Sequence, residues 1–411
     1  NDCGAKTIIC SEDKIQALAN IKERSQIKNI ISFGKKHNEI QSFDSLLKEN
    51  LLIEMKPKVA AKDLSTIAYT SGTTGHPKGA MQSHEAVILN GSMMSQLHMR
   101  GADDTVVSAL PCPHVYANVL MTGMMMFGTK LVLHKTFEVE AIFRSIEAHK
   151  ATIFDGVPTM YMFMLNSPFL KSSNLSSLKR CYVGGQTMPV ATMTSVEKEF
   201  KVPLIELWGM TEIAGLGATF PLFGPNKHGS IGCAIPYCEL KIADVSDCSK
   251  QMKAGEVGEL MVKGPITMMG YFGDEEKTRE TLEPDGWLHS GDLAKIDKDG
   301  CVYIVDRKKD MIITGGYNVY PAEIERVLAA NPKVALAAVG KQNDELKGEI
   351  AKAYIVLKEG KNATEDEIIA FCHEELAAYK CPRKVQFVKD VPKTSTGKIM
   401  RRELNTLDNL S

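Results

Sequence analysis

The stretch Tyr69-Thr70-Ser71-Gly72-Thr73-Thr74-Gly75-His76-Pro77-Lys78-Gly79 constrains this chain more than any other. Before it, Leu64–Tyr69 reads as a short strand, half of it β-branched or aromatic. After it, Ser83 is placed to cap an apolar-periodic helix through Ala86, Val87, Met93, Met94 and Leu97. Between them lies a loop of hydroxyls and glycines, then one lysine. Glycines let backbone N–H groups turn toward an anion, hydroxyls add donors, and the lysine adds a mobile positive charge. That combination suits a polyphosphate. It is not the P-loop of the NTPases: Pro77 stands where a glycine should precede the lysine, and Gly79 where a Ser or Thr should hold magnesium. Alone, such a string also describes an ordinary surface turn.

A chain of 411 residues is too long for one ordinary core, so two or more domains are expected. Lys+Arg 49 against Asp+Glu 50 gives a net charge of -1, which points to neither a nucleic acid nor an acidic membrane. The 10 cysteines are scattered, with no CxxC pair and no metal-ligand spacing, and read as reduced thiols of a cytoplasmic protein. Thr105 to Thr129 carries no charged side chain, but Pro111, Pro113, His114 and Asn118 interrupt it. A core strand and helix are expected there rather than a transmembrane segment, which leaves only peripheral membrane contact open. Asn1-Asp2-Cys3 has neither the basic start nor the apolar run of a signal peptide.

Residues 1–60 alternate short strands (Thr7–Cys10, Ile30–Phe33) with helices around 14–23 and from Phe43, an α/β rhythm. A strand at Val106–Leu110 leads into Pro111–Tyr116, and Gly156–Leu165 opens a helix with Thr159 as a candidate cap. Methionines cluster in that helix and at Met121, Met124, Met125 and Met126; each reads first as core, and together as lining for an apolar pocket of imprecise shape. Cys181–Pro189 is a strand running into the Gly184-Gly185 bend. In Glu206-Leu207-Trp208-Gly209-Met210-Thr211-Glu212, a glycine beside an aromatic lets a planar base lie against backbone and ring. The Glu212 carboxylate is suited to magnesium on phosphates, though a Thr-Glu pair also starts many solvated helices. Asp292, in Gly286–Asp292, can accept from both hydroxyls of a ribose. Asp297–Gly300 reads as a hairpin turn, followed by the charge run Asp306–Asp310, in which Lys308 is expected to be solvated. A compact lobe follows: Pro321 at a first helical position, strands Val334–Gly340 and Ala351–Leu357, and a Thr364/Glu367 capping box.

The loop, Glu206–Glu212, Gly286–Asp292 and the terminal Thr394-Ser395-Thr396-Gly397-Lys398 resemble, in order and separation, the motifs of the adenylate-forming enzymes: acyl-CoA synthetases, luciferases and peptide-synthetase adenylation domains. The resemblance covers nearly the whole chain and is similar in detail to a medium- or long-chain fatty-acid–CoA ligase. It implies an α/β fold in which residues 1–308 form an adenylation domain of stacked α/β sheets plus a small β subdomain, with its first part missing. Residues 309–411 would form a small mobile α+β domain hinged at Lys309. It implies ATP, Mg2+ and coenzyme A, and a reaction in which a carboxylic acid becomes an acyl-adenylate and then a thioester. By the same resemblance, Thr70, Ser71, Gly72, Thr73, Thr74, Gly75 and Lys78 grip phosphates, and Thr70 and Glu212 hold the metal. Gly184, Gly185, Gln186, Glu206, Leu207, Trp208, Gly209, Met210, Thr211, Asp292 and Arg307 surround the nucleotide. His114 and Val115, with Gly184 and Gly185, lie near the acyl group; Gly315, Gly316 and Tyr317 form the thiol channel. Lys398 is the reacting-centre lysine, with Glu212 and Thr211 beside it. Gln186 and Trp208 stand where the family usually has a small residue and a tyrosine. Rival expectations are a non-catalytic nucleotide-binding fragment, an aryl-acid ligase, a luciferase-like oxygenase and a carrier-loading domain.

Overall fold

Alternating runs of buried β-branched residues and amphipathic helices fold here into layered sheets. The computed structural model describes residues 2–22, 25–33, 40–48, 58–70, 77–393 and 399–410. Two compact units are present: Asn1–His84 with Met269–Thr278, and Glu85–Met268 with Arg279–Ser411. The protein is mixed α/β, with a large N-terminal domain and a small C-terminal one.

In the first unit, Thr7–Ser11, Asn29–Phe33 and Gln41–Ser42 form a parallel sheet. Leu64–Thr70 is a strand as expected, but Lys78–Ser83 is its antiparallel partner rather than loop, with Thr70 opposite Lys78. The pairing explains Gly79: a Cβ there would sit 2.6 Å from Ile67 Cγ2. Its glycine and polar residues hid the strand, since β-propensity yields to cross-strand fit. The helix then begins at His84, directly after Ser83.

In the second unit, five parallel strands run Lys130–Leu133, Thr105–Ser108, Ile153–Gly156, Arg180–Gly184, Leu204–Met210 across the sheet. Gly215–Thr219 and Cys233–Ala234 extend it antiparallel to seven strands. Strand order reverses between Thr105–Ser108 and Ile153–Gly156. In open parallel sheets a crevice for ligands opens beyond the carboxyl ends of the strands at such a reversal. Helices Val139–Ala148, Pro158–Leu165 and Val190–Phe200 pack Ile142, Ile146, Tyr161, Met164 and Val196 against Phe154 and Val183.

A four-stranded antiparallel sheet follows, Glu239–Ala243, Gly258–Lys263, Leu288–Ile296 and Val302–Arg307, the last two joined by the expected turn. The small lobe has five strands and helices Pro321–Ala330 and Glu365–Glu375, with Pro321 at the first turn and the Thr364/Glu367 capping box both present.

Two expectations are corrected. Thr159 does not cap its helix: Val157 holds the cap position and Pro158 begins the helix. Proline's fixed φ suits that first position, which moves the start upstream. Nor do the clustered methionines share one pocket. Met164 is core, whereas Met125, Met126 and Met162 are exposed, because each helix turns only one face inward. The uncharged Thr105–Thr129 stretch is core strand plus helix Val115–Phe127, and among the described residues no helix is long and apolar enough to cross a membrane.

Candidate active site

Strand Thr105–Ser108 ends at the reversal point, and Pro111–Tyr116 leaves it toward helix Val115–Phe127. His114 caps that helix, its Nδ1 accepting the Tyr116 amide at 3.2 Å. Tyr116 Oη donates to Asp155 Oδ1 at 2.9 Å from the end of the adjoining strand. Asp155, fully buried, also takes Arg100 Nη1 at 2.8 Å and Nη2 at 3.0 Å, a bidentate pair. The Arg100 guanidinium lies 4.4 Å from the Tyr182 ring centroid, and His98 stacks on the same ring. Burial beside Arg100 and Arg180 drives the His98 pKa well below its ordinary value. Arg100, Tyr116 and Asp155 were not singled out in the sequence. The available signal was a carboxylate inside the apolar run Ile153-Phe154-Asp155, which must find a partner once buried.

Gly184 connects this cluster to the next strand. It lies opposite Leu207, and a Cβ on it would be 3.2 Å from Leu207 Cβ and 3.3 Å from Tyr116 Cε1. Gly185 follows with φ +89, then Gln186 in the bend. The strand carrying Glu206, Leu207, Trp208, Gly209 and Met210 has a register shift at Trp208/Gly209, where a Cβ on Gly209 would fall 1.8 Å from the Gly215 carbonyl oxygen. Gly209 is therefore required by strand pairing, whatever else it does. Thr211 and Glu212 lie in the short 3-10 turn Thr211–Ile213. Asn90 anchors that turn from outside, donating to the Ile213 and Leu216 carbonyls at 3.0 Å each and accepting Leu216 N–H at 2.7 Å.

Trp208 behaves differently from a free stacking platform. Its ring is only 7% exposed and packs on Gly217, and its Nε1 donates to Asp292 Oδ2 at 2.8 Å. A buried indole N–H needs an acceptor, and Asp292 supplies it. Arg307 Nε holds the other oxygen, Oδ1, at 2.7 Å, and Ser290 Oγ accepts the Asp292 amide at 3.0 Å. The carboxylate is thus fixed by two donors, with lone pairs left for further hydroxyl donors. Lys308, expected to be solvated, keeps 39% of its side chain exposed and also pairs with Glu259 at 2.8 Å, because Glu259 is buried and requires a counter-charge. Lys309 lies exposed in the 3-10 turn Lys308–Asp310.

Glu206 is 1% exposed, its Oε2 has no partner among the described residues, and burial raises its pKa to about 8. The folded state therefore keeps a proton that the unfolded chain releases above the ordinary glutamate value of 4.5. This contribution to stability is complete below that value and is lost as pH rises through about 8, at about 1.4 kcal/mol per pH unit in between. Glu206→Gln, which cannot ionise, should gain stability relative to the parent as pH rises from about 5 to 8. Urea midpoints across that range check it, and a constant difference between the two proteins would remove the assignment.

The remaining residues belong to other elements. Thr70 and Lys78 face each other as the last pair before the connection between the two strands of the first unit's hairpin, with Lys78 Nζ 5.1 Å from the Tyr271 ring centroid. Gly315 and Gly316 (φ +55 and +83) turn the small-lobe hairpin between Ile312–Thr314 and Tyr317–Val319, and Tyr317 is exposed with its ring 4.8 Å from that of Tyr379. Ser71, Gly72, Thr73, Thr74, Gly75 and Lys398 lie outside the described residues.

Residues 1–272 match the family model described as AMP-binding enzyme, and residues 323–398 the AMP-binding enzyme C-terminal domain. A long-chain-fatty-acid–CoA ligase of Bacillus subtilis is 37% identical over 91% of this chain and 67% of its own length. An indoleacetate–CoA ligase of Aromatoleum aromaticum is 35% identical over 89% of this chain and 72% of its own. Among solved structures, ATP-bound MatB from Rhodopseudomonas palustris superposes with a TM-score of 0.92 at 29% identity, covering 100% of this chain and 80% of that one. A strand-order reversal in a parallel sheet, a carboxylate clamped by Trp208 and Arg307 and matches spanning both domains converge on one conclusion: the chain belongs to the AMP-binding enzyme family, the adenylate-forming acid–thiol ligases.

Proposed function

We propose that this ligase activates a medium- or long-chain fatty acid, and that the residues singled out above divide the work between its two half-reactions. A carboxylate anion resists nucleophilic attack; exchanging its oxygen charge for a phosphate anhydride, with loss of pyrophosphate, makes its carbonyl electrophilic. Thr70, Lys78 and the loop between them bind the β- and γ-phosphates through backbone N–H groups, hydroxyls and one ammonium. Asp292 accepts the ribose hydroxyls, held in orientation by Trp208 and Arg307. Thr70 and Glu212 offer the oxygen donors that magnesium prefers, and the ion would neutralise phosphate charge when bound. Gly184 and Gly185, with Gln186, lay bare backbone along the nucleotide and the acyl carbonyl, and His114 and Val115 border the acid. Lys398 stabilises charge on the α-phosphate as the carboxylate attacks in line. Residues 309–411 then turn about Lys309 to bring Gly315, Gly316 and Tyr317 to the thioester-forming face, where the thiol of coenzyme A displaces AMP.

The observation that supports the nucleotide assignment is the Asp292 carboxylate, fixed by Trp208 and Arg307 at a buried site. The fatty-acid preference draws on the similarity to the Bacillus subtilis enzyme, since the methionines do not supply a common lining. A pyrophosphate-release assay over alkyl acids of graded length, indoleacetate and benzoates tests it. Alkyl acids should give the highest kcat/KM, with release doubled by neither omission nor excess of coenzyme A in the first turnover. A higher kcat/KM with indoleacetate would transfer the protein to aryl acids, and no release with any acid would remove the reading.

A further inference from the structure

The linear spacing of the cysteines suggests no metal ligands, yet folding brings one of them beside a histidine and a carboxylate. Cys248 follows strand Glu239–Ala243, Glu283 precedes Trp287, and His289 lies in strand Leu288–Ile296. Their ligand atoms all lie within 4.8 Å of one another. Cys248 Sγ is 3.5 Å from Glu283 Oε1, and His289 Nε2 is 2.9 Å from the same oxygen. Around a tetrahedral zinc ion, sulfur, nitrogen and oxygen donors stand about 3.4–3.6 Å apart, so small side-chain rotations would open this triangle to the required size.

The second layer strengthens the reading. His289 Nδ1 is 3.1 Å from Glu259 Oε2, and that oxygen is held by Lys308 Nζ at 2.8 Å. Glu259 is 3% exposed and its other oxygen accepts Gly291 N–H at 3.3 Å, so it cannot readily swing away. A carboxylate that accepts from Nδ1 selects the tautomer whose Nε2 lone pair points outward, toward Cys248 and Glu283. That is how metal-binding histidines are oriented. Thiolate, imidazole and carboxylate together suit a borderline ion rather than the hard, oxygen-seeking magnesium or calcium. Glu283 and His289 remain partly exposed, which leaves a coordination position for water.

We propose that Cys248, Glu283 and His289 bind a divalent ion of the zinc class, with Glu259 as the positioning residue for His289. The ion would join the turn after Ala243 to the strand that carries Asp292, and it is separate from any magnesium on ATP. Cobalt(II) added to the metal-free, reduced full chain is the test. One equivalent should give the near-ultraviolet band of a cobalt–thiolate bond together with tetrahedral d–d absorption, both removed by stoichiometric zinc. Cys248→Ser should abolish the thiolate band, while Cys112→Ser, at an exposed cysteine elsewhere, should leave it intact. His289→Gln and Glu283→Gln should each weaken cobalt binding at least tenfold, and Glu259→Gln by about 10- to 100-fold. Absence of the band in the parent, or its survival in Cys248→Ser, would overturn the site. Unchanged affinity in both His289→Gln and Glu283→Gln would do so as well, leaving His289 as a cation bridging two carboxylates.

Discussion

Lys398→Ala should slow acyl-adenylate formation by about two to three orders of magnitude, the usual effect of removing one preorganised charge from a developing anion. As the acid's oxygen closes on the α-phosphate, negative charge spreads over the phosphoryl oxygens, and a lysine ammonium is the mobile cation that can meet it. The second half-reaction makes no such demand, because AMP leaves an already activated carbonyl as the thiol attacks. Thioester formation from supplied acyl-adenylate and coenzyme A should therefore survive in Lys398→Ala at near the parent rate. Isotope exchange between pyrophosphate and ATP reports the first step, and thioester appearance from added adenylate the second. Equal loss in both would show that the lysine supports the fold or a shared binding step instead.

The residues of the proposed site can be named from the sequence because its chemistry depends on residue types that are costly to use elsewhere. Glycines at 184, 185 and 209 and the carboxylates at 212 and 292 stand in short strings whose order survives without knowledge of the fold. What could not be read depends on cross-strand partners. Gly209 looked like a gap for a base, yet strand pairing alone demands it: the Gly215 carbonyl occupies the space of a side chain. Trp208 looked like an open aromatic, yet its N–H is committed to Asp292, 84 positions away. Lys308 shows no local sign of its partner, because Glu259 is buried on strand Gly258–Lys263, two strands across the sheet from Val302–Arg307. The small lobe was legible in finer detail, since its capping box and first-turn proline are local signals with local causes. Lys78–Ser83 is illegible for the opposite reason: a strand built from Lys, Gly, Ala, Met, Gln and Ser owes its conformation to Leu64–Thr70.

Asp155 is the position where a single substitution should cost the most stability, and its cost should reach the acid-binding wall. The Arg100–Asp155 pair is almost wholly removed from water, with side-chain exposures of 3% and 0%. Deleting one partner of such a pair strands the other charge, and Asp155→Ala should destabilise by about 3 to 5 kcal/mol. Arg100 would keep the Tyr182 ring beneath it, but a ring face offsets only part of a buried guanidinium's desolvation. Tyr116 would also lose its acceptor, and Tyr116 is the contact between the segment after His114 and Gly184. The apparent KM for the acid should consequently rise in Asp155→Ala, and much less in Asp155→Asn, which keeps the shape and a hydrogen-bond acceptor for Tyr116 and loses only the charge. Arg100→Met with Asp155→Leu separates the two effects. Removing both charges should restore most of the lost stability, since a packed apolar pair often equals a buried ion pair. The raised KM should persist, because Tyr116 still lacks its partner. Urea midpoints and acid-dependent pyrophosphate release, measured on the three variants, decide it. If the double variant were as unstable as Asp155→Ala, a stranded charge would not be the cause, and the loss would have to come from the hydrogen bond to Tyr116 or from packing around residue 155.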